Sequence, residues 1–110
     1  MSKGYEHVPL TEAAYYILLA LYTPRHGYGI MQFVREISQG RVQLGPGTLY
    51  GALKTMQEKG WITLNEAKDS RKKEYRLTPL GKEVVMAEME RLEELLKHGR
   101  AVLGGEKVDS

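Results

Sequence analysis

Two clusters of polar side chains have the chemistry to bind an anion. In the first, Gly47 is followed by Thr48, Tyr50 and Lys54, whose hydroxyl and ammonium groups can donate hydrogen bonds. The second is basic and consists of Arg71, Lys72, Lys73 and Arg76. A single exposed charge adds little affinity for phosphate, but several together gain affinity by releasing counterions. The residue types therefore point to contacts with phosphate groups.

Other reactive side chains lack the spacing that their chemistry needs. His7, His26 and His98 are far apart and match no zinc-binding pattern, and the absence of Cys excludes disulfides and thiolate sites. Residues 27–29 are a fragment of a dinucleotide fingerprint with no strand before them, and the serines lack a nucleophile-elbow context. The glutamates within residues 88–94 form a solvated helix face. We therefore expect no enzyme activity, no cofactor and no metal.

The composition fits one globular domain with a slightly uneven charge. The 110 residues are 42% hydrophobic and 27% charged, with a net charge of +2. Residues 1–80 contain 11 basic and 7 acidic side chains, whereas residues 81–110 contain 5 and 7. This asymmetry is a weak sign of a nucleic-acid-binding face in the first part of the chain.

The chain contains neither a signal-peptide pattern nor an apolar run long enough for a membrane span. Residues 1–10 lack an apolar stretch, and the longest apolar run, residues 13–22, is shorter than the roughly 20 residues that a span needs. We expect a soluble, cytoplasmic protein with no membrane partner.

Caps and apolar spacing predict three helices in the first 60 residues. Thr11 caps a helix that is apolar on nearly all sides and ends before Pro24. Residues 26–29 open the second helix, which spans residues 30–38 and has an apolar stripe of Ile30, Phe33, Val34 and Ile37. The third begins at Pro46 and ends before Gly60. Its buried side is predicted to consist of Leu49, Leu53 and Met56, and its polar face of Tyr50, Lys54 and Gln57.

After residue 60 the pattern is that of a β-hairpin followed by a long helix. Residues 61–66 and 74–77 are predicted strands joined by a polar, basic turn. Thr78 caps a fourth helix that runs from about residue 80 to about residue 98. Its apolar side chains Val85, Met89, Leu92 and Leu96 step by 4, 3 and 4 residues, like the seam of a coiled coil.

This order of elements predicts a mainly α fold. The expected architecture is a winged helix-turn-helix, with three helices and a β-hairpin wing, followed by one long C-terminal dimerisation helix. We expect residues 1–80 to form the DNA-binding unit, residues 81–104 the dimerisation helix and residues 105–110 a disordered tail. The third helix would enter the major groove, and the basic wing would lie against flanking phosphates.

Each assignment has a plainer alternative. Thr48 could serve merely to cap its helix, and Tyr50 could simply pack against the wing. The basic run could be solvated surface. The low net charge and the apolar first helix also leave open a winged-helix adaptor that binds protein rather than DNA.

Three segments resemble the PadR-like transcriptional regulators, and the resemblance extends from about residue 10 to residue 96. They are residues 10–30, which include His26-Gly27-Tyr28-Gly29-Ile30, then Gly47-Thr48-Leu49-Tyr50, and then residues 71–78 followed by Gly81. The single C-terminal helix is similar to that of the family's small subclass. The resemblance implies a two-fold dimer on DNA, with Thr48 and Tyr50 at the start of the recognition helix and Arg71, Lys72 and Lys73 in the wing.

The chain departs from the family pattern at three places. Family members often have Pro where this chain has Gly51, and many wings turn through Gly where this chain has residues 69–70, Asp-Ser. Some small members stack flat ligands on a Trp in the last helix. Leu92 aligns near that position, and the only Trp is Trp61, which argues against ligand stacking of that kind.

Six side chains are candidates for the surface between two subunits. They are Tyr15, Tyr16, Val85, Met89, Leu92 and Leu96. They could form a plain homodimer core or line a pocket for a small aromatic or amphipathic effector, and the plain core is the simpler expectation. The predicted function is a sequence-specific regulator, a repressor, that binds a pseudo-palindromic operator on double-stranded DNA as a homodimer.

Overall fold

The computed structural model describes residues 6–65 and 73–104. Within these ranges the elements are α1 (Glu12–Ala20), β1 (Arg25–His26), α2 (Gly27–Ile37), α3 (Pro46–Glu58), β2 (Ile62–Asn65), β3 (Glu74–Leu77) and α4 (Pro79–Gly104). This arrangement confirms the predicted mainly α, winged helix-turn-helix fold with a long last helix.

Helices α1, α3 and α4 begin where the cap residues predict, whereas α2 begins at Gly27, three residues before its predicted range. Thr11 Oγ1 accepts a hydrogen bond from the Ala14 amide at 3.0 Å, and Pro46 occupies the first turn of α3. Thr78 Oγ1 accepts from the Gly81 amide at 3.1 Å and so caps α4. The far end of α4 is at Gly104, about one and a half turns past residue 98 and at the end of the segment predicted as the C-terminal helix.

The sheet has one strand that the sequence pattern did not reveal. Its order is β1-β3-β2, with both pairs antiparallel, and the predicted hairpin consists of β2 and β3. In the pair formed by β1 and β3, Arg25 lies opposite Tyr75 and His26 lies opposite Glu74. Because β1 is only two residues long, it has no alternation to detect. It joins the start of α2 to the base of the wing.

The core is formed by α1, α2, α3, the sheet and the first half of α4. On α3 the predicted buried side is confirmed, since Leu49, Leu53 and Met56 are all buried. On α2 the predicted stripe is only partly buried. Ile30 and Val34 are enclosed and Phe33 is partly buried, whereas Ile37 is 45% exposed.

The two halves of α4 have different surroundings. The buried residues of the helix are Gly81, Val84, Val85, Ala87 and Glu88, all in its first half. Val85 was predicted to lie between subunits, but its side chain is 1% exposed and packs in the core of its own chain. The predicted seam was wrong at Val85 because the first half of the helix packs against the winged unit of its own chain. Among the described helices, none is both long and apolar enough to cross a membrane.

Candidate nucleic-acid interface

Helix α3 has one face fixed to the core and one face exposed. Leu49 and Leu53, at 0% and 1% exposure, anchor the helix. Away from this buried side Thr48, Tyr50 and Lys54 are exposed, and Tyr50 and Lys54 belong to the predicted polar face. Because the buried face leaves the helix no freedom to roll, these three polar side chains present a fixed surface to solvent.

The start of α3 favours an anion. Its N-cap is Gly45, which has no side chain to cap the first amides, and its one acidic residue, Glu58, is the last of the helix. Gly47 is exposed, and no described atom lies within 4 Å of the Cβ that a larger residue would add there. Uncapped amides at a helix N-terminus carry partial positive charge and can bind phosphate.

Tyr50 packs on one side and is exposed on the other. Its side chain lies against Gly27 at the start of α2, while the residue as a whole is 47% exposed. Tyr75 of β3 is a close neighbour. Burial raises the pKa of Tyr75, and the proximity of Tyr50 raises it further. Tyr50 therefore packs against the fold, as the plainer alternative held, and still leaves a surface exposed for contact.

A solvent-open cleft of about 680 Å³ connects the recognition helix to the base of the wing. Its lining residues are Arg25, His26, Gly27, Tyr28, Gly29, Tyr50 and Lys73. His26 Nδ1 lies 3.2 Å from the carbonyl oxygen of Lys73, which holds the wing base beside α2. Tyr50 and Lys73, predicted from two separate clusters, therefore meet at one cleft.

Arg25, His26 and Tyr28 were not among the predicted site residues. The sequence signal at residues 26–29 was interpreted only as the start of a helix, whereas the pairing of β1 with β3 brings this start to the wing. Arg25 has structural partners, since its Nε donates to Ala20 O at 2.7 Å and its guanidinium lies 4.7 Å from the Phe33 ring centroid. Tyr28 is 67% exposed.

Two of the four predicted wing cations lie within the described residues. Lys73 is exposed at the base of the wing, and Arg76 is exposed on β3. Strand neighbours alternate between faces, and Tyr75 and Leu77 are buried, so Arg76 points to the outer face of the sheet. Arg71 and Lys72 lie outside the described residues. The phosphate contacts of all four remain predictions.

The candidate subunit surface consists of part-buried tyrosines and an exposed apolar stripe. Burial raises the pKa of Tyr15, and the nearby Glu88 raises it further, which places this ring beside α4. The Tyr16 hydroxyl accepts a hydrogen bond from Arg41 at 3.3 Å. The exposed stripe, called the distal stripe below, consists of Met89, Leu92, Leu95, Leu96, Val102 and Leu103. Leu95, Val102 and Leu103 were missed because they fall outside the predicted seam.

Metal chemistry has no ligand set in the part of the chain that the structure describes. No group of three or more His, Asp or Glu side chains within residues 6–65 and 73–104 could hold a metal ion. What this part of the chain presents instead is an exposed recognition helix beside a wing, the arrangement of DNA-binding transcriptional regulators.

The sequence assigns this regulator to a family. The profile of the Transcriptional regulator PadR-like family matches residues 17–87, more than half of the chain. The chain therefore belongs to the PadR-like family of transcriptional regulators.

Solved structures share the fold over most of the chain. A PadR family transcription regulator from Clostridium difficile is 30% identical with a TM-score of 0.69, and the match covers 86% of this chain and all of the other (100%). A transcriptional regulator from Clostridium thermocellum has a TM-score of 0.67 at 20% identity, covering 92% of this chain and 95% of that one. Because the identity to the Clostridium thermocellum protein is 20%, that similarity shows the fold alone.

A longer relative shares only this region. The chain is 36% identical over 87 residues to an uncharacterized 37.1 kDa protein in transposon TN4556 of Streptomyces fradiae. The match covers 79% of this chain but 22% of the relative, so the chain spans about a fifth of that protein's length.

Proposed function

We propose that this protein is a repressor that binds a pseudo-palindromic operator as a homodimer. The observation that carries the proposal is the exposed polar face of α3, held rigidly beside the base of the wing. Gly47, Thr48 and Tyr50 would meet base edges and phosphates at the start of the recognition helix. Lys54 would contact the backbone further along the helix. The wing cations Arg71, Lys72, Lys73 and Arg76 would contact flanking phosphates.

The proposed second subunit would cover the distal stripe. A group of six exposed, large apolar side chains on one helix commonly marks a protein interface. The radius of gyration of 16.2 Å exceeds the roughly 13 Å expected for a compact chain of this length, because the uncovered half of α4 projects from the domain. A second copy would bury the stripe against its own equivalent, as two-fold symmetry requires. Two recognition helices would then lie about 34–36 Å apart in successive major grooves.

A small effector is a further possibility for the same surface. Met89, Leu92 and Leu96, together with Tyr15, would form a plain dimer core in the simpler case. A flat aromatic or amphipathic molecule inserted there would change the separation of the two recognition helices and shift the protein away from its DNA-binding state. Loss of operator binding on adding such a molecule to the intact dimer would support an effector site.

The first experiment measures fluorescence anisotropy on DNA from upstream of the protein's own gene and on scrambled DNA, across a salt series. We expect a preference of about 10³-fold or more for one sequence, with affinity that falls steeply as salt increases. Equal affinity for both DNAs would contradict a sequence-specific role. No binding at low salt would favour the protein-binding adaptor.

Substitution of the recognition tyrosine tests the proposed contact directly. Tyr50→Ala should weaken operator binding roughly tenfold, because it removes a hydroxyl that donates to charged phosphate oxygen. Tyr22→Ala is the matched control, since Tyr22 is 48% exposed at the end of α1 and lies outside the cleft. Unchanged affinity of the Tyr50 variant would remove this residue from the interface.

A further inference from the structure

The side chain of Tyr50 occupies a slot that exists because residue 27 has no side chain. Gly27 is buried in the first turn of α2. A Cβ added to it would lie 2.7 Å from Tyr50 Cζ and 3.3 Å from Cε1, and closer still to the hydroxyl oxygen. Separations below 3.0 Å are essentially never seen for real Cβ atoms. Any residue larger than glycine would therefore displace one of the two partners.

The partner that would move is the tyrosine. Tyr50 lines the open cleft and is 47% exposed as a residue, so its ring can rotate towards solvent without disturbing the core. The backbone of residue 27 is helical, and alanine is a better helix former than glycine. Filling the slot should therefore change the direction of the Tyr50 side chain while leaving the fold intact.

The slot lies where three elements meet. Gly27 begins α2, Tyr50 belongs to α3, and Tyr75 of β3 is near enough to Tyr50 for the two hydroxyls to interact electrostatically. The adjacent contact between His26 Nδ1 and Lys73 O fixes the wing base at the same place. The position of the ring in the slot therefore sets the placement of its hydroxyl relative to Lys73.

We infer that Gly27 is a positioning residue for DNA binding. It touches no DNA through a side chain; it holds the Tyr50 ring in the direction in which the hydroxyl and the Lys73 ammonium group meet the same stretch of DNA backbone. This inference rests on the proposed function, specifically on the DNA contact of Tyr50.

The test compares Gly27→Ala with Gln32→Ala. The control is on the same helix, and Gln32 is exposed and lies outside the cleft. We expect Gly27→Ala to weaken operator binding roughly tenfold, the loss also expected for Tyr50→Ala, and Gln32→Ala to bind like the unsubstituted protein. Neither variant should melt at a lower temperature. A lower melting temperature with unchanged affinity would make Gly27 a structural glycine only and overturn the inference.

A double variant separates this inference from the proposed function. With the ring removed there is nothing to displace, so Gly27→Ala/Tyr50→Ala should bind no more weakly than Tyr50→Ala alone. Full addition of the two losses would show that Gly27 acts independently of Tyr50 and would overturn the inference while the proposed function stands. If Tyr50→Ala binds as tightly as the unsubstituted protein, both the tyrosine contact and the inference fail.

Discussion

Glu88 is the only charged side chain that is buried among the residues the structure describes, at 2% exposure, so the expectation that it lies on a solvated helix face was wrong. Its carboxylate accepts two hydrogen bonds of 2.8 Å from Arg91, one turn further along α4. It also accepts the Leu10 amide at 3.3 Å, which fixes the segment before α1 against the last helix. A buried carboxylate with three donors is satisfied, so its burial is compatible with a stable fold.

Acid should weaken the fold partly through this residue. The hydrogen bonds from Arg91 lower the pKa of Glu88 below its ordinary 4.5, outweighing the effect of burial. Tyr15 of α1 is the other titratable group beside it. Because the folded-state pKa is the lower one, the ionised carboxylate stabilises the protein above pH 4.5. That stabilisation is lost as the pH falls through the folded-state pKa.

We therefore expect Glu88→Gln to be less stable than the unsubstituted protein at about pH 7, by about 1–3 kcal/mol, and the difference to become smaller as the pH falls through the folded-state pKa of Glu88. Urea unfolding at about pH 7 and at about pH 3 measures this. Glu94→Gln is the control, because Glu94 is exposed and pairs only with His98 at the surface, at 3.2 Å. An equal loss for Glu88→Gln at both pH values would contradict the ionic contribution.

At the scale of elements, two glycines are tightly packed against very different neighbours. Gly27 faces the movable end of a tyrosine, whereas Gly81 on α4 faces the turn that leads into β2. A Cβ at Gly81 would lie 3.0 Å from the carbonyl carbon of Trp61 and 2.9 Å from Leu77 Cδ2, and closest of all to the Trp61 carbonyl oxygen. Helix α4 can therefore pack this closely on the sheet only because residue 81 has no side chain.

Gly81→Ala should destabilise the protein by about 1–3 kcal/mol, because backbone and core atoms cannot move aside without disturbing the packing. Gly99→Ala on the same helix is the control. No described atom lies within 4 Å of a Cβ at residue 99, so alanine there should leave stability equal or slightly higher. Chemical denaturation of both variants measures the difference. A Gly81 variant as stable as the control would show that α4 can shift along the sheet at little cost.

At the scale of the whole molecule, the first half of α4 belongs to the winged unit and the second half projects from it. The predicted boundary between residues 80 and 81 falls within one packed core, since Val84 and Val85 are enclosed by the other elements. The distal stripe begins at Met89, immediately after the last buried residue, Glu88. A single helix thus completes the core of its own chain and offers an apolar surface beyond it.

Placing a charge on the distal stripe should prevent self-association. Leu92→Glu puts a carboxylate on the proposed two-fold surface, where it would be desolvated beside its symmetry equivalent. Sedimentation equilibrium should give the chain mass of 12.5 kDa for this variant and twice that mass for the unsubstituted protein. Lys97→Glu, an exposed change away from the stripe, should leave the larger mass. A Leu92 variant that keeps the larger mass would remove the stripe from the interface.

Caps and apolar periods were enough to predict the four helices, the hairpin and the exposed face of α3. Cap residues such as Thr11 and Thr78 act on amides three residues away, and the apolar period of Leu49, Leu53 and Met56 is a property of one helix. Because these signals involve residues close together in sequence, they can be recognised without knowing how the rest of the chain folds. The family motifs added the expectation that Tyr50 faces DNA.

Which surfaces meet depends on contacts between distant parts of the chain. The pairing of β1 with β3 joins residues about fifty positions apart, and it brings His26 and Lys73 to the cleft beside Tyr50. Packing against the winged unit turned Val85 inward and left the next seam residue, Met89, exposed. Periodicity gives the direction in which a side chain points from its own helix. What lies in that direction depends on segments distant in sequence, so the cleft, the Gly27 slot and the inward Val85 followed from the fold alone.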